Sequence, residues 1–272
     1  MTMFNKKAVA AASLAVGSLF GTLAAPSLAG TANSVWVGTW KLDLSKSNFT
    51  GDTMSYSKSS DGSFRYSDGS SVSYDFAVDG KDYPTPYGRL VTWTAVNDHA
   101  WDSVLKASDG TVLAKIHREL SSGDKTLTMT ATGTNADGST FNETSVYTRL
   151  AGTAGLTGKW RSIKSSAGAP LKFVISSPAR GVLRWEIPES KQSGEGKLDG
   201  TDFPITGPNA PPGMTVGIKA ESPTKLSYVM KFNGRTDNFG VDTMAADGRS
   251  YTDVSWSAGK ESEKSTAVYV KQ

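Results

Sequence analysis

The sequence predicts an all-β protein made of two tandem antiparallel up-and-down β-barrels. A duplicated motif, regularly spaced turn dipeptides and the lack of helical periodicity carry that prediction. Val37-Gly38-Thr39-Trp40-Lys41 returns as Thr157-Gly158-Lys159-Trp160-Arg161. Asp79-Gly80-Lys81-Asp82-Tyr83-Pro84 returns at the same offset as Asp199-Gly200-Thr201-Asp202-Phe203-Pro204. Two motifs holding one register over that distance mark a duplicated domain. Asp61-Gly62, Asp68-Gly69, Asp79-Gly80, Asp109-Gly110, Asp137-Gly138, Asp199-Gly200, Asn233-Gly234 and Asp247-Gly248 punctuate the chain. Such pairs tolerate the positive φ of tight hairpin turns, so their spacing implies a meander.

The chain begins with Lys6 and Lys7, an apolar run of small residues from Ala8 to Ala25, and Ser27-Leu28-Ala29. This is the pattern of a secretory signal over 1–29, cleaved after Ala29. The alternative is a membrane anchor, for which Ser13, Gly17, Ser18, Gly21 and Thr22 dilute the run. Export to the periplasm or beyond is the expected address. No cysteine follows the run, which excludes a lipid-modified lipoprotein, and the chain has none at all. An exported fold without disulfides must stand on its own core. Lys and Arg total 29 against 26 Asp and Glu, and loss of Lys6 and Lys7 leaves the mature chain near neutrality. Without a basic run to track phosphates, nucleic acid is not expected as a partner.

Strand faces follow from alternation. In the run from Arg89 to Val96, Val91, Trp93 and Ala95 share one face. From Val112 to Leu120, Val112, Ala114, Ile116 and Leu120 share a face, with Arg118 the exception among them. Lys115, His117 and Glu119 occupy the other face. Leu127, Met129 and Ala131 oppose threonines. In the second repeat Leu183, Trp185 and Ile187 oppose Arg184 and Glu186, and Leu226, Tyr228, Met230 and Phe232 oppose Lys225, Ser227 and Lys231. One apolar and one polar face per strand is the mark of a half-buried antiparallel sheet. Some eight such strands per repeat leave two open edges unless the sheet closes. Pro204, Pro208, Pro211 and Pro212 read as a rigid loop rather than a central strand. The expected division is a barrel over 30–150, a Gly- and Ala-rich linker over 151–156, and a second barrel over 157–272. Two small barrels side by side is the expected picture, with exchange of strands between the halves as the alternative.

Gly38-Thr39-Trp40 and Gly158-Lys159-Trp160 resemble the G-x-W opening of lipocalin-like (calycin-type) barrels. More closely, Gly38 to Asp43, Ser45 to Phe49, Asp79 to Pro84, Ala136-Asp137-Gly138 and Val146 to Arg149 resemble a group of exported bacterial lipocalin-like domains to which no function is attached. The resemblance covers most of the first repeat and the anchors of the second. It implies that Gly38, Trp40, Arg149, Gly158, Trp160 and Lys271 are structural anchors, with a basic side chain of each closing strand lying over a tryptophan. At this repeat length each barrel is shorter than a full lipocalin, which argues against a large calyx.

Chemistry is sparse. His99 and His117 are the only histidines, and no pair has metal-ligand spacing, so no metal and no cofactor are expected. His117 is the one candidate catalytic residue: with Asp102 or Glu119 it forms a general base only if its face lines a lumen. There is no nucleophile elbow and no phosphate-binding glycine loop. Glu186 and Glu189 form a neighbouring carboxylate pair near a strand end. Of seven tryptophans, Trp40 and Trp160 are assigned to plugging the barrels. Trp93, Trp101, Trp185 and Trp256 are the candidate ligand-lining residues, since indoles pack cores and small-molecule pockets alike. The resulting expectation is an exported binding protein for a small apolar or amphipathic molecule. The alternatives are a two-domain isomerase or hydrolase acting on an apolar substrate, and an envelope interaction protein with dry barrels. An integral membrane protein is not expected, because the outward faces are polar and the last strand lacks a terminal aromatic.

Overall fold

The computed structural model describes residues 35–166, 171–208 and 210–272. The expected signal over 1–29 lies outside the described residues. The first repeat supplies β1 (Gly38–Leu42), β2 (Thr53–Lys58), β3 (Phe64–Ser67), β4 (Ser73–Phe76), β5 (Asp82–Thr85), β6 (Arg89–Asn97), β7 (Ala100–Lys106), β8 (Val112–Leu120), β9 (Thr126–Thr134) and β10 (Thr140–Ala151). The second supplies β11 (Gly158–Ser166), β12 (Lys172–Ser176), β13 (Val182–Ile187), β14 (Gln192–Lys197), β15 (Asp199–Thr206), β16 (Met214–Ser222), β17 (Lys225–Phe232), β18 (Arg235–Met244), β19 (Ser250–Ser257) and β20 (Ser265–Lys271). These form two antiparallel ten-stranded sheets. One closes in the order β1-β12-β13-β14-β15-β16-β17-β18-β19-β20; the other runs β4-β3-β2-β11-β10-β9-β8-β7-β6-β5 and is nearly closed. Among the described residues no helix is long and apolar enough to cross a membrane.

The sheets do not follow a cut at 151–156. Each takes its G-x-W strand from the other repeat: β1 pairs with β12 and β20, and β11 pairs with β2 and β10. Residues 152–157 form the hairpin between the paired β10 and β11, not a linker between domains. Among the described residues the two compact units are accordingly 49–166 with Gly259–Ser265, and 35–48 with 171–208, 210–258 and Thr266–Gln272. The exchange is sterically easy because GTWKL and GKWRS offer the same Gly and Trp at the same places in the strand.

The turn chemistry is as the dipeptides suggest. In Asp61, Asp68, Asp79, Asp109, Asp137 and Asp247 the carboxylate Oδ1 accepts the backbone N–H two residues on, which bends the chain into an Asx-turn. Asp199 Oδ1 accepts the Thr201 N–H in the same way, but the Asp199-Gly200 pair does not end a strand. It sits inside β15, at a register shift between Asp199 and Asp202, so there the same pair builds a bulge. Pro204 also departs from the loop expectation and lies within β15. Its missing N–H is tolerated because the β14 ladder reaches only Ile205 and Thr206, leaving Pro204 paired to Thr215 alone.

Both tryptophan plugs are built alike. Trp40 and Trp160 are fully buried, and each indole Nε1 donates to the carbonyl four residues earlier, Trp36 O at 2.8 Å and Leu156 O at 3.0 Å. Lys271 Nζ lies 5.0 Å from the Trp40 ring centroid and Arg149 Cζ 4.1 Å from that of Trp160. Gly38 and Gly158 adopt φ of 146° and 140°, a region closed to side chains. A Cβ at Gly38 would stand 2.7 Å from Lys271 Cε, and one at Gly158 would stand 2.3 Å from Ala151 O. The glycine of G-x-W therefore clears the path by which the closing cation reaches its ring.

Candidate functional site

Each unit holds a polar cluster within apolar walls. In the first, alternation turns Arg89, Val91 and Trp93 of β6, Trp101, Ser103 and Leu105 of β7, and Ala114, Ile116 and Arg118 of β8 inward. Arg118 is fully buried. Its Cζ lies 4.0 Å from the Trp93 ring centroid. Nε donates to Tyr56 Oη at 3.2 Å and Nη1 to Ser103 Oγ at 2.6 Å. Both partners are neutral hydroxyls, and Nη2 is buried with no hydrogen-bond partner.

Rings enclose the guanidinium. Phe76 stacks on Trp93 with centroids 4.3 Å apart and an 18° interplanar angle, and Tyr56 meets Trp93 edge-on at 5.9 Å. Burial raises the Tyr56 hydroxyl above its ordinary range, with Arg118 acting in the opposite sense. Tyr74 Oη and Trp93 Nε1 are neighbours in the same wall, and neither completes a hydrogen bond of normal geometry. A buried charge is costly unless it is paired and its donors are satisfied. Here an aromatic face and two hydroxyls stand in for part of the lost water, and one edge of the guanidinium fork stays open.

In the closed barrel, Asp242 on β18 and Asp253 on β19 are direct cross-strand partners, and both are buried at 9% and 1% exposure. Tyr228 Oη donates to Asp253 Oδ1. Asp242 Oδ1, Asp253 Oδ2 and Tyr269 Oη have no hydrogen-bond partner. Burial is the main cause raising both carboxyls well above the usual carboxylate range; Asp253 adds to the rise of Asp242, while hydrogen bonding with Tyr228 and Ser255 acts against that of Asp253. Tyr251 and Tyr269 stack beside them at 4.8 Å and 15°. Trp185 Nε1 is likewise buried and unpartnered. Gly194 faces that indole across the sheet, where an added Cβ would stand 2.8 Å from the ring.

The expected ligand-lining tryptophans divide. Trp93 and Trp185 are fully interior and Trp101 is buried at 8% exposure. Trp93 and Trp101 belong to the Arg118 cluster, and Trp101 is the cross-strand partner of Arg118. Trp256 is not in an interior. It alternates with the buried Tyr251, Asp253 and Ser255 and stacks on its cross-strand neighbour Phe239 at 5.9 Å and 22°. His117 does meet Asp102, Nδ1 to Oδ1 at 2.7 Å, but on the outer face, with side chains 44% and 54% exposed. That face does not line a lumen, so the condition for a general base is not met. Glu186 is paired with Arg184 at 2.7 Å on an exposed face, and Glu189 Oε1 accepts the Lys172 N–H; the two do not act as a pair.

Arg118 carries a signal in the sequence, as the one cation on the apolar face of β8. Asp242 and Asp253 do not. On their strands the other face holds Phe239, Val241, Val254 and Trp256, so alternation assigns the carboxylates to solvent. Compared with known protein families, curated proteins and solved structures, the chain has no match.

Proposed function

We propose that this chain is an exported, lipocalin-like binding protein whose first barrel holds a small amphipathic molecule by an acidic head group. The observation that carries the reading is Arg118, a fully buried guanidinium stacked on Trp93 with Nη2 unpartnered. A carboxylate is the group that answers it, because its two oxygens accept from the guanidinium fork in parallel. The apolar body of such a ligand would lie among Phe76, Trp93, Tyr56 and Trp101. The lipocalin-like assignment draws on the G-x-W strands and the cations over their tryptophans. Export draws on the pattern over 1–29. Ion pairs on the outward strand faces, Arg65 with Asp75 at 2.9 Å and Lys231 with Asp202 at 2.6 Å, support walls that meet water rather than lipid. Nucleic acid is no part of this reading, since no basic run is present.

Native mass spectrometry of the mature chain taken from its own host's envelope tests the proposal. An excess mass that is lost on denaturation and identifies an organic acid is the expected result. Titration with decanoate and with indole-3-acetate then follows tryptophan fluorescence, and Arg118→Met should weaken binding by about 2 kcal/mol or more. A bare native mass, together with no response to either acid, overturns the proposal.

A further inference from the structure

We infer that the closed barrel is a second binding site, for an organic cation: a primary ammonium on an apolar body, held between the carboxyls of Asp242 and Asp253 beside the rings of Tyr228, Tyr251 and Tyr269. This site is independent of the Arg118 cluster and of the reading built on it.

The argument starts from hydrogen-bond supply and demand. Asp242 Oδ1, Asp253 Oδ2 and Tyr269 Oη are buried and unpartnered. Tyr269 is fully buried and within electrostatic reach of both carboxyls. An alkylammonium brings three N–H donors and no acceptor, which matches three open oxygens. As placed, the Tyr269 O–H reaches no acceptor and neither open carboxyl oxygen receives a donor. Charge points the same way. The titratable groups facing the pair are Tyr228 from β17, Tyr251 from β19 and Tyr269 from β20, and Glu189 from the turn after β13 acts on Tyr269. All are acidic. Among the described residues, no Lys, Arg or His is ion-paired with either Asp, so none of them supplies the positive charge that would let a carboxyl ionise. The ring walls suit a cation as well, since tyrosine faces attract positive charge.

The proton balance gives the inference its signature. Without ligand, burial favours the protonated form of both carboxyls. An ammonium that arrives charged replaces one of their protons, so binding near neutral pH forms one carboxylate and releases one proton to solvent.

Calorimetric titration of the full chain with 2-phenylethylammonium at pH 7, in two buffers of different protonation enthalpy, reads this directly. About one proton released per ammonium bound is expected. Titrations with 2-phenylethanol and phenylacetate should show affinities weaker by about tenfold or more, and Asp242→Asn and Asp253→Asn should each lower ammonium affinity by a similar factor. Equal affinity for the alcohol, binding without proton release, or full affinity in the double Asn variant would overturn the inference. So would no binding by 2-phenylethylammonium and n-octylammonium alike. The proton count is measured on the unaltered chain, so it stands even if a variant fails to fold.

Discussion

Arg149 of the first repeat lies over Trp160 of the second, Cζ to ring centroid 4.1 Å, in a single hairpin that the strand exchange creates. The guanidinium donates to three carbonyls, Asp124 O at 2.7 Å and Thr157 O and Gly155 O each at 2.6 Å. It thus holds the β10–β11 connection and the tryptophan plug together. Arg149→Met should destabilise the fold by about 2–3 kcal/mol, from the lost cation–π contact and three stranded carbonyls. Lys271→Met, which loses only the contact to Trp40, should cost about 0.5–1 kcal/mol. Urea unfolding at constant m checks both.

The same geometry separates two glycines that look equivalent in the sequence. A Cβ at Gly158 meets the Ala151 carbonyl at 2.3 Å, whereas one at Gly38 meets only the flexible end of Lys271. Both substitutions carry the strain of a positive φ. Gly158→Ala should therefore cost about 3 kcal/mol or more, and Gly38→Ala clearly less. Equal losses in urea midpoint would contradict the packing around Gly158.

Strand exchange is testable because the chain has no cysteine of its own. Thr39 pairs with Val174, and Lys159 with Ser55. Thr39→Cys with Val174→Cys should form a disulfide on mild oxidation, visible as a shift in non-reducing electrophoresis. Thr39→Cys with Ser55→Cys, the pairing of an unexchanged barrel, should not. The reverse result would return each G-x-W strand to its own repeat.

The fold was legible because its signals are local. Asp-Gly turns declare themselves within four residues, and the repeat supplies a second copy against which to check the G-x-W anchors. The exchange was not legible, because Gly38-Thr39-Trp40 and Gly158-Lys159-Trp160 fit either slot and only the crossing segments decide between them. The site was half legible. Arg118 stands out on its strand, but Asp242 and Asp253 belong to strands whose less polar face points outward, and alternation cannot detect an inverted pair. Trp256 misled because its indole alone suggested a lining, whereas its strand turns Trp256 and Val254 away from the interior that holds Tyr251 and Asp253.

Glu143 predicts a pH dependence in the first unit. It is the cross-strand partner of the fully buried Ala131, and burial pushes its carboxyl up from 4.5 to about 7. The folded chain therefore binds this proton more tightly than the unfolded chain does. Its contribution is full below the unfolded value and is lost as pH rises through the folded one. Stability should fall by on the order of 2 kcal/mol between about pH 4.5 and pH 7 on this account. Glu143→Gln should flatten that part of the profile. A profile unchanged by the substitution would mean that water reaches the carboxyl.

Asp242 and Asp253 predict a stability gain on substitution. Both carboxyls are raised above their ordinary 3.8, so their folded state is favoured at low pH and progressively disfavoured as pH rises above the unfolded value. Asparagine keeps the shape and the acceptor for Tyr228 but never ionises. Asp242→Asn and Asp253→Asn should leave stability unchanged near pH 3.5 and raise it by about 1–2 kcal/mol at pH 7, the range found when a residue kept for function is replaced by one that suits the fold. Urea unfolding at the two pH values makes the comparison. A loss at both would mean that the pair serves the fold, through the Tyr228 hydrogen bond, rather than a ligand. A gain confined to neutral pH is the pattern of carboxyls that the fold retains at a cost to its own stability.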